Sequence, residues 1–281
     1  MNNHQLSCAA LLCALATPAL AAPPIEPAEA PNQPLWELGI AGGVISTPSY
    51  PGAEDRETRG LALPTVIYRG KVFRADQSGI GARVFSSDAA ELDIGLAASL
   101  PARSNDVDAR AGMPNLGALA EFGPRLKLRL ARFDDYSGLR VDLPLRAVIE
   151  VRGGLRQQGY TFEPRLLYER RSPDGKWKFD THVAAVMGDG KINRYFYEVR
   201  PEYATATRPA YSARSGLILA RVGVSAARVV NRDLRLYGFL RAENYGVGAN
   251  DNSPLHRRDT GLSAGVGLAW TWMRSAALAN D

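Results

Sequence analysis

Leu139-Arg140-Val141-Asp142-Leu143-Pro144-Leu145-Arg146-Ala147-Val148-Ile149-Glu150-Val151-Arg152 is the stretch that decides the fold. Leu139, Val141, Leu143, Leu145, Ala147, Ile149 and Val151 fall on one parity, and Arg140, Asp142, Arg146, Glu150 and Arg152 on the other. Successive side chains of a β-strand point to opposite faces, so this is a strand with one apolar and one charged side. A helix would scatter the same residues around its circumference.

The pattern recurs along the chain. Leu126, Leu128 and Leu130 alternate with Arg125, Lys127 and Arg129; Leu92, Ile94, Leu96 and Ala98 alternate with Glu91, Asp93 and Ser99. Lys178, Asp180 and His182 oppose Trp177, Phe179 and Val183, and Ser263, Gly265 and Gly267 oppose Leu262, Ala264, Val266 and Leu268. Turn signals such as Ser172-Pro173-Asp174-Gly175 separate the runs. The spacing predicts about twelve strands, within roughly ten to fourteen. They fall near 35–46, 60–68, 71–85, 90–100, 116–131, 137–152, 157–171, 175–187, 191–203, 213–229, 232–246 and 259–272, with long loops at 47–59, 101–115, 203–213 and 247–258. The loop phasing improves if 71–85 is two short strands, or if 247–258 lies outside and one strand drops out.

A soluble β-sandwich also alternates, so the kind of sheet needs separate evidence. The charged faces carry ions at many alternate positions, and the apolar faces run unbroken for about the 9 to 11 residues that a tilted strand needs to cross a bilayer. Trp36, Tyr160, Phe162, Trp177, Trp270 and Trp272 stand near strand ends on the apolar side, as in an interfacial girdle. Open strand edges do not survive in hydrocarbon, so the expected fold is all-β: a closed antiparallel transmembrane β-barrel over 35–272.

The first residues read as a signal peptide, 1–21, with Cys8 to Leu20 as its apolar core and cleavage between Ala21 and Ala22. Both cysteines lie inside it, so the exported chain has no thiol for a disulfide, a metal or a nucleophile. Residues 22–34, rich in Pro and Ala, form the expected periplasmic lead-in, and 273–281 a short C-terminal tail. Apolar residues at 46% and charged residues at 22% match a folded chain rather than a disordered one. The net charge of +5 selects no partner by itself, because Arg125, Lys127, Arg129, Arg140, Arg146, Arg165, Lys178, Arg221, Arg235 and Arg241 share the inward faces with Asp142, Glu150, Glu163, Glu169, Asp180, Asp233 and Glu243. Cross-strand ion pairing is the expectation, with a lining selective for anionic solutes as the alternative.

Chemistry is sparse. His182 and His256 are the histidines left after cleavage, and neither has an obvious serine opposite it. Asp106 with Asp108, Asp134-Asp135 and Asp251 each fall short of the clustered oxygens of a cation site. Gly188-Asp189-Gly190-Lys191 reads as a turn, since it lacks phosphate-loop spacing. No catalytic, cofactor or metal residue is expected, and alternating Lys and Arg make no nucleic-acid patch.

Tyr195-Phe196-Tyr197-Glu198-Val199, Pro201, Tyr203-Ala204, Pro209-Ala210-Tyr211-Ser212-Ala213 and Gly216 resemble the signature stretch of the MipA/OmpV family. Pro48-Ser49-Tyr50-Pro51-Gly52 with Leu63-Pro64, Leu116-Gly117 with Glu121-Phe122-Gly123-Pro124, Ser253-Pro254-Leu255 and Gly267-Leu268-Ala269-Trp270 resemble other pieces of the family in the same order. The chain departs from the family in continuing past Trp272 to Asp281. The resemblance implies a non-enzymatic protein of the Gram-negative outer membrane, embedded in outer-membrane lipid. It also implies a scaffold that brings a lytic transglycosylase and a murein (peptidoglycan) synthase together. A narrow channel for small solutes and a surface adhesin are the alternatives.

Overall fold

The computed structural model describes residues 33–70, 73–76, 79–152 and 154–279. The expected signal peptide over 1–21, the expected cleavage site at Ala21 and Ala22, and nearly all of the expected lead-in lie outside the described residues. Thirteen strand segments carry the fold: β1 (Trp36–Pro48), β2 (Arg56–Arg69), β3 (Phe73–Asp76), β4 (Gly79–Ser86), β5 (Ala90–Ser99), β6 (Ala118–Arg132) and β7 (Ser137–Val151), then β8 (Leu155–Phe162), β9 (Arg165–Arg171), β10 (Trp177–Gly188), β11 (Gly216–Val229), β12 (Leu234–Asn244) and β13 (Thr260–Arg274). β8 and β9 each pair with both β7 and β10, so they are one strand interrupted at Glu163-Pro164. That makes twelve barrel strands. Each pairs antiparallel with its sequence neighbours, and β13 returns to β1, so the pairings form a closed circuit.

Two expectations change. Residues 71–85 are two strands, β3 and β4, instead of one. Residues 191–203 are no strand at all: Gly190–Tyr197 is helix α1 and Pro201–Tyr203 a 3-10 turn. One strand is gained and one lost, so the count of twelve stands. The aromatic and β-branched run Tyr195 to Val199 has strand propensity. Asp189 overrides it locally, because its Oδ1 accepts the amides of Lys191 and Ile192 at 3.0 Å each and so caps the helix.

The alternation turns the barrel inside out relative to a soluble protein. Ile40, Val44, Ile94, Leu96, Phe122, Leu145, Val183, Val222, Val224, Leu240, Val266 and Leu268 project outward and are 37% to 66% exposed. Glu37, Asp93, Arg125, Asp142, Glu150, Glu169, Asp180, His182 and Glu243 are buried. Trp36, Trp177, Trp270 and Trp272 gather at the end of the barrel that holds the short turns and both ends of the described chain. At that end β13 runs to Arg274, and the following residues fold back along the entry to β1. Leu35 N donates to Ala277 O and Ala279 N to Gln33 O, each at 2.9 Å. The opposite end carries the long connections 49–55, 100–117, 189–215 and 245–259.

Candidate functional site

Register places opposite charges face to face inside the barrel. Asp93 stands opposite Arg125, Lys127 opposite Asp142, and Arg221 opposite Glu243. Arg125 grips Asp93 with two donors, at 2.9 and 2.6 Å, and Lys127 reaches Glu91 at 2.6 Å and Asp93 at 2.9 Å. Arg140 donates to Asp142 at 2.7 Å and Glu169 at 2.8 Å, and Arg165 lies 3.6 Å from Asp142. Glu163 joins Arg146 at 3.2 Å to Arg221 at 3.3 Å, and Arg221 continues to Glu243 at 3.3 Å. A second group gathers at the short-turn end, where Glu37 receives Arg69 at 2.5 Å, Arg235 at 3.4 Å and Arg274 at 3.8 Å.

Most of the expected inward charges are therefore in this network. Glu150 instead accepts from Gly117 N, Gln158 and Tyr195, and Asp180 accepts from Ser225. Two others leave the lumen. Asp233 sits on the short-turn rim bonded to Arg274, and Arg129 is exposed and donates to the Asp88 carbonyl. Both lie at strand ends, where the pleat no longer faces the lumen. Glu37, Arg83 and Glu121 were not anticipated as lumen charges, although their positions follow the same alternation.

The long connections fold inward and fill the mouth. Tyr50, Ala53, Ala102, Val107, Met113, Leu116, Val199 and Leu255 form one apolar cluster there. Leu119, Val148, Ile192, Tyr197, Ala213, Ile218, Leu219 and Tyr245 form a second, deeper one. Buried polar bonds tie the loops together. Asn250 Nδ2 donates to Asn193 Oδ1 and to Arg214 O, both at 2.8 Å, and Arg110 donates to Phe196 O at 3.2 Å. Arg208 reaches back to the carbonyls of Ala109 and Ala111 at 3.0 Å each.

The residues that carry the sequence resemblance meet in this cap. Tyr195 donates to Glu150 on β7 at 3.1 Å, and the Phe196 ring packs beside it on both clusters. Val199 is buried and bridges Tyr211 through paired backbone bonds, while Tyr211 Oη reaches Asn250 Oδ1 at 3.1 Å. Pro201 starts the 3-10 turn whose Tyr203 packs on the first cluster. Ser253 Oγ donates to Tyr197 O at 2.7 Å. Gly216 has φ +144°, and a Cβ there would come within 2.7 Å of Ala249. Pro209 is exposed and Pro254 half-buried, and neither makes a contact that explains its place in the pattern.

The two histidines are placed apart. His182 is buried in the lumen opposite Gly223, which faces Arg241 on its other side. His256 lies in the loop over Gly52, with Nε2 3.0 Å from Asp259 Oδ1. No group of three or more metal-ligating side chains occurs among the described residues.

Burial pushes the Tyr50 hydroxyl up to about 12, and its proton is held on Leu255 O at 2.6 Å. An unfolded tyrosine ionises near about 10. The folded cap therefore keeps a proton that the open cap loses, and stability from this group is complete below pH about 10 and lost as pH rises through about 12. The difference between the ultraviolet phenolate titrations of the wild type and Tyr50→Phe should be a single late step near pH 12. A difference near the ordinary tyrosine value would overturn the assignment.

A closed ring of twelve tilted strands with an apolar outside, a charged inside, short turns at one end and long loops at the other defines an outer-membrane β-barrel. By this architecture the long loops face the cell exterior and the short turns the periplasm of a Gram-negative bacterium. The profile of the family described as "MltA-interacting protein MipA" matches residues 40–272, and the chain belongs to that family. No curated protein matches the sequence. Among solved structures, the chain is similar to the NanC porin at 9% identity, covering 84% of this chain and 100% of that one with a TM-score of 0.39. It is similar to the COG4313 outer membrane channel from Pseudomonas putida F1 at 14% identity, 88% and 100% coverage, TM-score 0.36. It is also similar to the outer membrane phospholipase A from Escherichia coli at 9% identity, 82% and 92% coverage, TM-score 0.33.

Proposed function

We propose that this outer-membrane barrel is a non-enzymatic scaffold whose working surface is its periplasmic rim, where it docks enzymes of murein synthesis and hydrolysis. One observation carries the reading: the chain entry and the C-terminal segment are laced together at that rim. Leu35 bonds Ala277, Ser275 N donates to Trp36 O at 2.9 Å, and Pro34 bridges Leu278. A lead-in over 22–34 would join the barrel there, beside the short turns 133–136, 172–176 and 230–233. The family's description as an interacting protein of MltA supports the same reading. The filled outer mouth weighs against free solute passage.

The test is capture from detergent extracts using the intact barrel and a variant lacking 22–34. The intact barrel is expected to enrich a lytic transglycosylase and a murein synthase, and the shortened one to lose both. Equal recovery by the two, or none by either, would overturn the proposal. In planar bilayers the purified wild type is expected to give no discrete conductance steps; regular steps would favour the channel alternative.

A further inference from the structure

At the short-turn end the outward face of the wall is apolar on the side of β1, β2, β12 and β13, where Trp36, Tyr68, Leu236 and Trp270 face the membrane. The side formed by β9, β10 and β11 differs. Glu169 is buried in the lumen, so Arg170, the next residue of β9, faces out, and it is exposed. Arg228 shares its parity with the outward Val222 and Val224 on β11, and it too is exposed.

Register sets the two arginines around one aromatic pair on the strand between them. Phe179 of β10 stands opposite Arg170, and Trp177 opposite Arg228. The Trp177 and Phe179 rings stack with centroids 5.4 Å apart at an interplanar angle of 7°. Arg228 Cζ lies over the Trp177 ring, 5.1 Å from its centroid. The arginine backbones are two strand spacings apart across β10, about 10 Å. Phe179 has Ala226 opposite it on β11, so only a methyl group stands on that side.

The other basic side chains of the rim are matched. Arg132 pairs with Asp135 at 2.7 Å, Lys176 with Asp174 at 4.0 Å and Arg232 with Asp233 at 3.5 Å. Asp134, on the turn beside Arg170, accepts the Tyr136 amide at 2.7 Å. Neither Arg170 nor Arg228 has a carboxylate within 4 Å among the described residues. A guanidinium over a ring engages through its face, and its N–H donors lie in its plane and stay free for another acceptor. An arginine on the lipid face is costly at the bilayer midplane and cheap at the boundary. Trp177 is the first residue of β10, so the group sits at the boundary, where lipid head groups lie.

We propose that Arg170 and Arg228, with the Trp177–Phe179 stack between them, bind the head of an anionic phospholipid of the periplasmic leaflet. The phosphate takes N–H donors from both guanidiniums, whose fork matches its oxygens. The upper acyl carbons lie on the exposed faces of Trp177 and Phe179 and continue along Val183 and Val224. A zwitterionic head brings its own cation and leaves the two arginines unneutralised, so net charge sets the preference. The leaflet follows from the short turns, which lie at this end of the barrel. This lipid site does not depend on murein enzymes docking at the rim.

The test uses the full folded barrel in phosphatidylcholine nanodiscs, with phosphatidylglycerol as the anionic probe. Replacing Trp36, Trp270 and Trp272 by Phe leaves Trp177 as the reporter, and bromine on the upper acyl carbons of either lipid quenches it. Brominated phosphatidylglycerol is expected to quench at a lower mole fraction than brominated phosphatidylcholine. Arg170→Gln and Arg228→Gln are each expected to reduce that preference about fivefold, and the two together to abolish it. Arg132→Gln, at a matched arginine of the same rim, is expected to leave it unchanged. If the single-tryptophan chain loses its heat-dependent gel shift, native mass spectrometry of the four-tryptophan barrel makes the same comparison. There the double Gln variant is expected to lose one retained phosphatidylglycerol per barrel. Equal quenching by the two lipids, a preference that survives both Gln substitutions, or equal retention in the wild type and the double variant would overturn the proposal. The first of these is the result if both arginines only extend to water.

Discussion

Replacing Asp142 by asparagine is expected to lower the unfolding free energy of the barrel by about 3–5 kcal/mol, the cost typical of breaking a buried ion pair from one side. Asp142 is fully buried between Arg140 and Arg165. Asparagine keeps its size, so no cavity forms, but the two guanidiniums lose their shared anion. Arg140 retains Glu169, whereas Arg165 has no other carboxylate within 4 Å among the described residues. Asp135→Asn is the control. Asp135 also pairs with an arginine, Arg132 at 2.7 Å, but both side chains are more than two-thirds exposed on a turn. Exposed pairs of this kind contribute about 0–1 kcal/mol. Urea unfolding in lipid vesicles, followed by tryptophan emission and gel mobility, separates the two. Equal midpoints would mean that the lumen is solvated enough to screen its charges.

The second large effect is expected at the cap. Leu255 is fully buried among Tyr50, Val107, Met113 and Val199, and none of the barrel's strand ladders passes through it. Leu255→Asp puts a carboxylate into that cluster, and an ionised group buried without a partner costs several kcal/mol or more. The wall has no reason to unfold, so the cost is relieved by release of the loops. The variant should keep its heat-dependent gel shift, become open to trypsin on whole cells at Arg110 and Arg208, and show discrete conductance steps that the wild type lacks. Leu255→Ala should loosen the cap by about 2–5 kcal/mol without adding charge. If Leu255→Asp stays as resistant to trypsin as the wild type, the loops do not depend on this cluster for their closure.

Much of the wall was legible in the sequence because its signal is local. In Leu139 to Arg152 each residue's side is set by its parity alone, and the structure keeps that assignment, with Asp142 and Glu150 buried and Leu145 exposed. The ionic lumen was legible for the same reason, since opposite charges such as Asp93 and Arg125 needed only strand pairing to meet. The cap was not legible. Tyr195 to Val199 is rich in aromatics and ends in a β-branched residue, so its composition resembles a strand. Its helix depends on Asp189, read as part of a turn, and on a buried side of Ile192, Asn193 and Tyr197 that only other loops can cover.

By itself, then, the sequence determined that this chain is a membrane barrel, where most of its strands lie and which side of each faces lipid. Period-two alternation is a property of neighbouring residues and survives any arrangement of the rest of the chain. Only the tertiary structure decided that the family-like residues close the mouth and that Tyr50 holds Leu255 across 205 positions. Those facts depend on which distant segments meet. Such contacts are chosen by the collective burial of several short loops, and none of those loops carries a periodic pattern that announces its partner.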